Sequence, residues 1–385
     1  MTEGQALRQA ATALTPDILA VRDRMDHDRA LPPPLVDKLR RAGLFHLWLP
    51  RVLGGPELHP ADFLSVIEAL SCADGSVGWC ATNASVLSLL AGSMDESAAH
   101  DIFGQRAIAA GAANPMGKAI AVSGGYRVTG RWPYGSGIMH STWLGANSVI
   151  HDGDNPRLNA AGTPVVRFMF FPRSAVEIID AWNVIGLRGT GSHDYSVADV
   201  FVPESHTAPA FVVAAEQPGT LYRVPPLSLF TVALASVTLG IARAAIDALV
   251  ELAAVKTPMR TGALLRDLGS VQTQVARAEA MWRAARAGVL EAIHAQWAAT
   301  ENGTADTMPT RAATRLACTW CAEACASAVD LVHAAAGGSA IQESGRIARC
   351  FRDIHAATQH IGIALANYEP CGRVLLGLDP GTPRF

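Results

Sequence analysis

Two histidines near the C-terminus, His355 and His360, are the first residues whose type and spacing could do chemistry. They lie in IARCFRDIHAATQHIGIALANY, Ile347 to Tyr368, where apolar residues recur at three- and four-residue spacing, as on one buried helix face. The pattern predicts one helix from Gly345 to Leu376. On such a helix, residues five apart point about 140° away from each other. The pair therefore cannot share a metal ion, and at most one of them looks into any given pocket. An imidazole on an apolar helix is either a satisfied core or interface group, or a proton-handling group held in a dry site.

Cys318, Cys321 and Cys325 resemble a metal motif at first. They fall in RLACTWCAEACASAVDLV, an Ala-rich helical stretch, and spacings of three and four put them on one face. No fourth ligand is near in sequence, so small buried thiols in a helix–helix contact are the better reading. GLRGTGS, residues 186–192, is glycine-rich, but no helix pattern follows it, so it is neither a Walker nor a Rossmann loop. Its plain reading is a tight loop between strands.

The chain that must position these residues has 385 amino acids, half of them hydrophobic and 17% charged. That balance fits a well-buried and oligomeric protein. A net charge of -3 argues for neither nucleic acid nor a membrane surface. No apolar run reaches the roughly 18 residues of a membrane span. The opening MTEGQALRQAATAL lacks the apolar core of a signal peptide, and the seven cysteines are odd in number and scattered, so the expected location is the cytoplasm.

Residues 1–104 read as helical, with breaks at Pro32–Pro34, Pro50 and Gly54–Gly55. Gly75, Gly78, Ala81 and Ala84 in one small-residue helix allow close backbone approach. Trp79 and Asn83 on that helix either pack it or border a cleft. From about residue 105 to 207 the pattern changes to short segments rich in Val, Ile, Phe, Tyr and Trp, bounded by Gly, Pro, Asn and Asp. No long helical pattern separates them, so a β-barrel or sandwich is expected rather than a parallel sheet with crossover helices. A Pro/Ala-rich connection over 208–226 leads to long helical patterns over 227–385, which predict a four-helix bundle. The class is α+β: N-terminal helices, a central β domain and a C-terminal bundle.

That order, with particular residues at the joints, resembles the acyl-CoA dehydrogenase fold. The stretches that carry the resemblance are LVDKLRRAGLFHLWLPRVLGG, Gly124 to Trp132, WNVIGLRGTGSHDYSVADVFVP, and Gly337–Gly338 followed by RIARCFRD. The resemblance implies a flavin between the β domain and the bundle, and a tetramer. Dehydrogenases of this fold take the substrate α-proton with a glutamate from one of two places. Here those positions register on Ile361 and Phe230, so neither holds a carboxylate. Glu369 is nine residues beyond His360 and is a poor substitute. Acyl-CoA dehydrogenation is disfavoured.

A histidine in the acid region instead resembles the two-component flavin-dependent monooxygenases of this fold, and RCFRDIHAATQHI most resembles the indole-acetate type. The run Tyr134-Gly135-Ser136-Gly137, continuing as SGIMHSTW, is similar to their version of the flavin contact. The resemblance implies reduced FMN or FAD supplied by an NAD(P)H:flavin reductase, with O2 as co-substrate and a flavin C4a-hydroperoxide that oxygenates an indole or phenol. It implies His360 and Ser136 as catalytic residues. Ser136 would hydrogen-bond flavin N5 or the peroxide; His360 would act as a base or steady the peroxide proton. Tyr134, Trp182, Arg188, Thr190 and Ser192 would contact the flavin or its phosphate. Trp79, Asn83 and Phe230 would line the substrate pocket, with Leu221 to Pro226 as a lid.

Asn114 and Pro115 are either a turn or a flavin contact, and His140 is either a surface-loop histidine or a peroxide-side group. His355 is placed on the interface side. Arg266 and Gln272 lie where dehydrogenases hold the far end of FAD, but RTGALLRDLG lacks the Arg-x-x-Phe-Gly pattern, which leaves FMN open. Two other functions remain in view. One is a dehydrogenase or oxidase with His360 as an unusual base; the other is a flavin- or acyl-binding protein that has lost its acid.

Overall fold

The computed structural model describes residues 1–104, 107–210, 218–259, 262–303, 307–382 and 385. Residue 105 at the expected start of the β domain, 211–217 of the expected connection and 304–306 of the loop between the second and third long helices lie outside the described residues.

Six helices open the chain: α1 Glu3–Ala13, α2 Thr15–Asp28, α3 Pro33–Arg41, α4 Pro60–Ala73, α5 Gly75–Ser88 and α6 Glu96–Phe103. Prolines sit in the first turn of α2, α3 and α4, where a missing N–H costs nothing. Eight strands follow: β1 Ala109–Val122, β2 Gly125–Trp132, β3 Trp143–Asp152, β4 Asn155–Pro156, β5 Val166–Pro172, β6 Glu177–Ile179, β7 Asp194–Pro203 and β8 Thr207–Pro209. They make one mixed sheet in the order β6-β7-β2-β1-β3-β5-β8, with β4 on β3. Asn114 and Pro115 lie inside β1 at a register shift between Ala112 and Gly117, not at a turn between strands.

The sheet is strongly rolled. Trp132 of β2 meets Phe171 of β5 at 5.9 Å between ring centroids. Three strand spacings separate β2 from β5, roughly 14 Å on a flat sheet. Trp132 also stacks on Tyr195 at 5.5 Å, and the Tyr195 hydroxyl accepts the Ala112 N–H of β1 and donates to the Gly145 carbonyl of β3. These fully buried rings fill the concave face.

One topological detail places the site. β1 pairs with β2 antiparallel on one side and with β3 parallel on the other. The chain must therefore cross the end of β1 to pass from β2 to β3. The crossing segment, residues 133–142, carries Tyr134, Ser136 and His140.

The remainder is helical: α7 Pro226–Val255, α8 Gly269–Glu301, α9 Met308–Ala336, α10 Arg346–Ala357 and α11 Tyr368–Leu375. The single helix expected over 345–376 is in fact α10, a turn, and α11. His360 lies in that turn, so the 140° argument does not apply to it. The helix stops because Gly362 brings a flexible backbone and because His360 bonds locally. Its Nδ1 accepts the Gly362 N–H at 3.1 Å, which competes with helical pairing. By length and composition alone, α7 and the stretch Met308–Ile341 that contains α9 could cross a membrane. The apolar stretch of α7 is 89% buried, as for the central helix of a bundle.

Leu221, Tyr222 and Val224 are buried in the main core, so Leu221 to Pro226 is packed structure and not a lid. The three close-spaced cysteines of α9 are buried and free, with Cys321 facing Thr238 of α7.

Glycines let α4, α5 and α7 approach closely. A Cβ on Gly240 of α7 would lie 2.5 Å from the Glu68 carbonyl oxygen and overlap Ser71 of α4. A Cβ on Gly78 of α5 would overlap the same Ser71. By contrast, nothing lies within 4 Å of a Cβ on Gly288 of α8. Gly240→Ala is therefore expected to lower the unfolding free energy by about 1–3 kcal/mol through overpacking. Gly288→Ala should raise it by up to about 1 kcal/mol through helix propensity. Denaturant melts of the two variants should move in opposite directions; a common sign would refute the close-packing account.

Candidate active site

Three elements converge at the end of the rolled sheet. The first is α5. Asp74 caps it, its Oδ1 accepting the N–H groups of Ser76 at 2.9 Å and Val77 at 3.3 Å. Trp79, in the second turn, donates its indole N–H to Ser136 Oγ at 3.1 Å. Asn83 donates to the Trp79 carbonyl at 2.8 Å.

The second element is a pair of loops. Residues 133–142 are clamped to residues 186–193 by Gly137 N–H to the Thr190 carbonyl at 2.9 Å and Gly135 N–H to the His193 carbonyl at 3.0 Å. The clamp lines up buried hydroxyls. Ser136 Oγ lies 2.8 Å from Ser192 Oγ, and Ser192 Oγ lies 2.7 Å from Thr190 Oγ1. Thr190 donates to the Leu187 carbonyl at 2.7 Å.

The third element is the turn after α10. The His360 ring lies 5.8 Å from Trp79 and edge-on to Phe230 at 5.2 Å. Burial pushes its pKa down to about 4, so the ring is neutral at physiological pH. Nδ1 accepts the Gly362 N–H, so the single proton resides on Nε2. A Cβ on Gly362 would lie 2.8 Å from Leu234 Cδ1. Trp79 thus contacts both Ser136 and His360, with Phe230 and Leu234 adding apolar neighbours to His360 and its turn.

Trp182 is half-buried and donates to the Leu187 carbonyl at 3.2 Å. Its backbone N–H and that of Ala181 reach Nδ1 of the buried His193 at 3.3 Å, a residue the sequence did not single out. Tyr134, 64% exposed with φ of 66°, stands edge-on to Trp182 at 6.3 Å. Arg188 reaches instead toward α2, donating to the carbonyls of Asp26 at 3.2 Å and Val184 at 3.3 Å. His140 is not a surface histidine. Its ring sits under Gly137 and beside Phe45 at 5.5 Å, and its buried Nδ1 has no hydrogen-bond partner among the described residues. Burial lowers its pKa to about 4. His355 points away, bonding Asp330 at 2.9 Å. Gln272 donates to the Arg266 carbonyl on the surface, well separated in sequence and contacts from this group.

Behind the site is a buried ionic cluster. The Arg349 guanidinium meets Asp26 at 2.8 Å, Asp23 at 3.0 Å and Asp74 at 3.6 Å. Asp353 Oδ1 accepts the Leu187 N–H at 2.6 Å. Burial pushes the Asp74 and Asp353 carboxyls up; the Asp74 charge adds to this for Asp353, and Arg349 opposes it for both.

A flavin ring needs flat apolar surfaces and polar partners along one edge. Trp79 and the Trp182–Tyr134 pair are the aromatic groups that could offer such surfaces. Ser136 and the His360 Nε2–H would be the polar atoms for such a ring. Gly135 and Gly137 keep the main chain bare: a Cβ on Gly137 would press on the His140 ring at 3.2 Å. These residues fit the ring of a flavin. Arg188 is not aimed at a phosphate.

The comparisons with known proteins show the family. Residues 1–96 match the acyl-CoA dehydrogenase N-terminal domain, and residues 232–364 match the acyl-CoA dehydrogenase C-terminal domain. The chain belongs to that family, whose shared fold it has. An indole-3-acetate monooxygenase from Pseudomonas putida is 33% identical over 94% of this chain and 92% of its own length. The oxygenase subunit of a flavin-dependent monooxygenase from Mycobacterium tuberculosis is 28% identical over 98% of this chain and 97% of its own. A solved structure of XiaF from Streptomyces, in complex with FADH2 and glycerol, superposes with a TM-score of 0.89 at 26% identity, covering 99% and 97% of the two chains. Within the family this chain is a flavin-dependent monooxygenase that uses reduced flavin.

The ionic cluster yields a pH prediction. The unfolded Asp353 carboxyl loses its proton near 3.8, while the folded one holds it to higher pH. Folding therefore carries extra stability below 3.8 that is lost as pH rises toward neutral. Asp353→Asn keeps an acceptor for the Leu187 N–H and should flatten that decline in a pH series of thermal melts. Asp353→Ala leaves a buried N–H unpaired and should cost about 1–3 kcal/mol at every pH. Parallel pH profiles for wild type and Asp353→Asn would contradict the assignment.

Proposed function

We propose that the chain is the oxygenase component of a two-component system that hydroxylates a flat aromatic compound, an indole or a phenol, with Ser136 and His360 at the reaction centre. The observation that carries this reading is that the Trp79 indole meets both groups, donating its N–H to Ser136 Oγ at 3.1 Å and lying 5.8 Å from the His360 ring. Both groups are polar, mostly buried and held by the main chain or by neighbouring side chains, within a wall otherwise built of Trp79, Phe230 and Leu234.

When bound, reduced flavin supplies the two electrons that activate molecular oxygen, so that one oxygen atom enters the substrate and the other leaves as water. The protein's part is to bind, orient and keep dry. Ser136 would meet the polar edge of the ring, and Trp182 with Tyr134 would border its apolar face. Thr190 and Ser192 hold Ser136 through their hydroxyls. Trp79, Asn83 and Phe230 would enclose the substrate, with Asn83 offering its side-chain oxygen to an indole N–H or a phenol O–H.

His360 is a donor. Its Nε2–H can bond an oxygen in the pocket, whereas its pKa near 4 makes it a poor acceptor of a substrate proton at neutral pH. That disfavours the dehydrogenase or oxidase alternative, which needs a base, and selects hydrogen-bond donation from the roles the sequence left open. A binding protein without chemistry would have no use for two polar groups fixed in an apolar wall.

A separate NAD(P)H:flavin reductase would deliver reduced FMN or FAD, as the name "oxygenase subunit" of the Mycobacterium tuberculosis relative supports. Self-association, as a homotetramer, is supported by apolar side chains left exposed beside the site and beyond it: Trp320, Ile341, Ile361, Leu365, Leu375 and Leu376. A cytoplasmic location fits seven unpaired cysteines.

The test is to mix protein, photoreduced FMN or FAD and oxygenated buffer in a stopped-flow instrument, with indole-3-acetate and simple phenols as probes, and to measure oxygenated product per flavin oxidised. Wild type should yield product and reoxidise flavin on a course distinct from free flavin. His360→Ala should lower the yield by about a hundredfold, as for loss of one donor to a reacting oxygen, and Ser136→Ala should lower it through loss of the contact to the ring edge. Enzyme-free reoxidation and no oxygenated product with any probe would sink the proposal. Because His360 stays neutral down to about 4 and carries its Nε2–H in either protonation state, the yield should show no His360-linked limb between about pH 6 and 8. A limb near 6.5 that vanishes in His360→Ala would instead mean that the ring titrates as a base.

A further inference from the structure

The row Trp79, Ser136, Ser192, Thr190 and the Leu187 carbonyl has only one possible direction. An indole N–H can only donate, and a peptide carbonyl can only accept. Thr190 spends its single hydroxyl proton on Leu187, at 2.7 Å. Its contact with Ser192, also 2.7 Å, must then be donated by Ser192. Ser192 has no proton left for Ser136 at 2.8 Å, so Ser136 donates to Ser192. Ser136 in turn receives the Trp79 N–H at 3.1 Å. Every hydroxyl proton is committed, and all three hydroxyls are buried. What Ser136 has left is a lone pair.

We infer that this row selects the redox state of the flavin: Thr190 and Ser192 are positioning residues that make Ser136 an acceptor toward the ligand. The pocket then favours a ring edge bearing an N–H, as reduced flavin has at N5, over the bare nitrogen that oxidised flavin has there. The inference rests on the reading above that Ser136 meets the flavin edge. To bond oxidised flavin, Ser136 would have to turn its O–H outward and abandon Ser192. That sacrifice is one neutral hydrogen bond, worth about a fivefold change in affinity.

The row also predicts which changes matter. Ser192→Ala removes the acceptor that holds the Ser136 proton. Thr190→Val frees the Ser192 proton to turn back toward Ser136, which releases the Ser136 proton outward. Both changes leave Ser136 itself in place. Ser192→Thr keeps the hydroxyl and should rescue.

The experiment is anaerobic equilibrium ultrafiltration of the full chain with photoreduced FMN and, separately, oxidised FMN, repeated with FAD. The quantity read is the ratio of the two dissociation constants, oxidised over reduced. It should fall about fivefold in Ser192→Ala and in Thr190→Val and stay within twofold of wild type in Ser192→Thr. A loss of packing alone would weaken both redox forms together and leave the ratio unmoved. If wild type binds reduced flavin but the ratio shifts by less than twofold in both Ser192→Ala and Thr190→Val, the inference is overturned while the flavin site stands. If wild type binds neither form of either flavin, the reading of the site as a flavin contact fails and the inference falls with it. Should Ser192→Ala fail to fold, the nearly isosteric Thr190→Val decides the question.

Discussion

The buried Arg349 guanidinium is the interaction on which the site depends. It draws together Asp23 and Asp26 of α2 and Asp74 at the head of α5. Its own helix, α10, carries Asp353 to the Leu187 N–H and ends three residues before His360. Each of the three parts of the site therefore leads back to one point. Asp74 orients α5 and with it Trp79. Asp353 holds the loop whose Leu187 carbonyl terminates the hydroxyl row. α10 delivers the His360 turn. A buried ion pair is weak evidence for added stability, since desolvation offsets much of the attraction. Here its role is registration: it fixes where three chain segments meet. Gly186 permits the approach, because a Cβ there would overlap the Arg352 carbonyl.

The polar atoms of the site gain their roles from what pins them. His360 is neutral because it is buried, and its proton is on Nε2 because the Gly362 N–H occupies Nδ1. Ser136 is an acceptor because the row beyond it ends on a carbonyl. Neither role follows from residue type alone. A serine is ambivalent and a histidine has two tautomers; the backbone N–H and C=O at the ends of the local networks remove the choice. On the proposed reading this would be preorganisation, since a donor or acceptor held in advance needs no rearrangement when the reacting atoms arrive.

Much of this was legible in the sequence, and the failures have physical causes. The order of helices, strands and bundle follows from period and from proline and glycine punctuation. Ser136, Trp79, Phe230 and His360 were named from the sequence, and they come together in the fold. The helix over 345–376 was misread because apolar spacing continues through the turn: Ile361, Ile363 and Leu365 keep a helix-like rhythm, while one side-chain bond from His360 to the backbone diverts the chain. The resemblance put Arg188 near the flavin or its phosphate; in the fold it donates to the carbonyls of Asp26 in α2 and Val184. No sequence signal locates His193, and Asp74 could have been found only as the capping residue of Asp-Gly-Ser before a helix. The partnering of Arg349 with three aspartates from two distant helices is invisible until the fold closes.

The same scaffold serves dehydrogenases through a carboxylate, and the exchange for histidine has an electrostatic logic. A carboxylate can only accept hydrogen bonds and is charged at neutral pH. Reduced flavin carries negative charge on its ring at neutral pH, so a second anion beside it is opposed. At 5 Å and an effective dielectric of about 20, that repulsion is about 3 kcal/mol. Ile361 and Phe230 remove the anion from both positions where the fold could supply it. His360 then offers a neutral N–H in its place, and burial keeps it neutral by lowering its pKa, the opposite of what burial does to an acid. On the proposed reading, the substitution would change the site from one that withdraws a proton to one that donates a hydrogen bond.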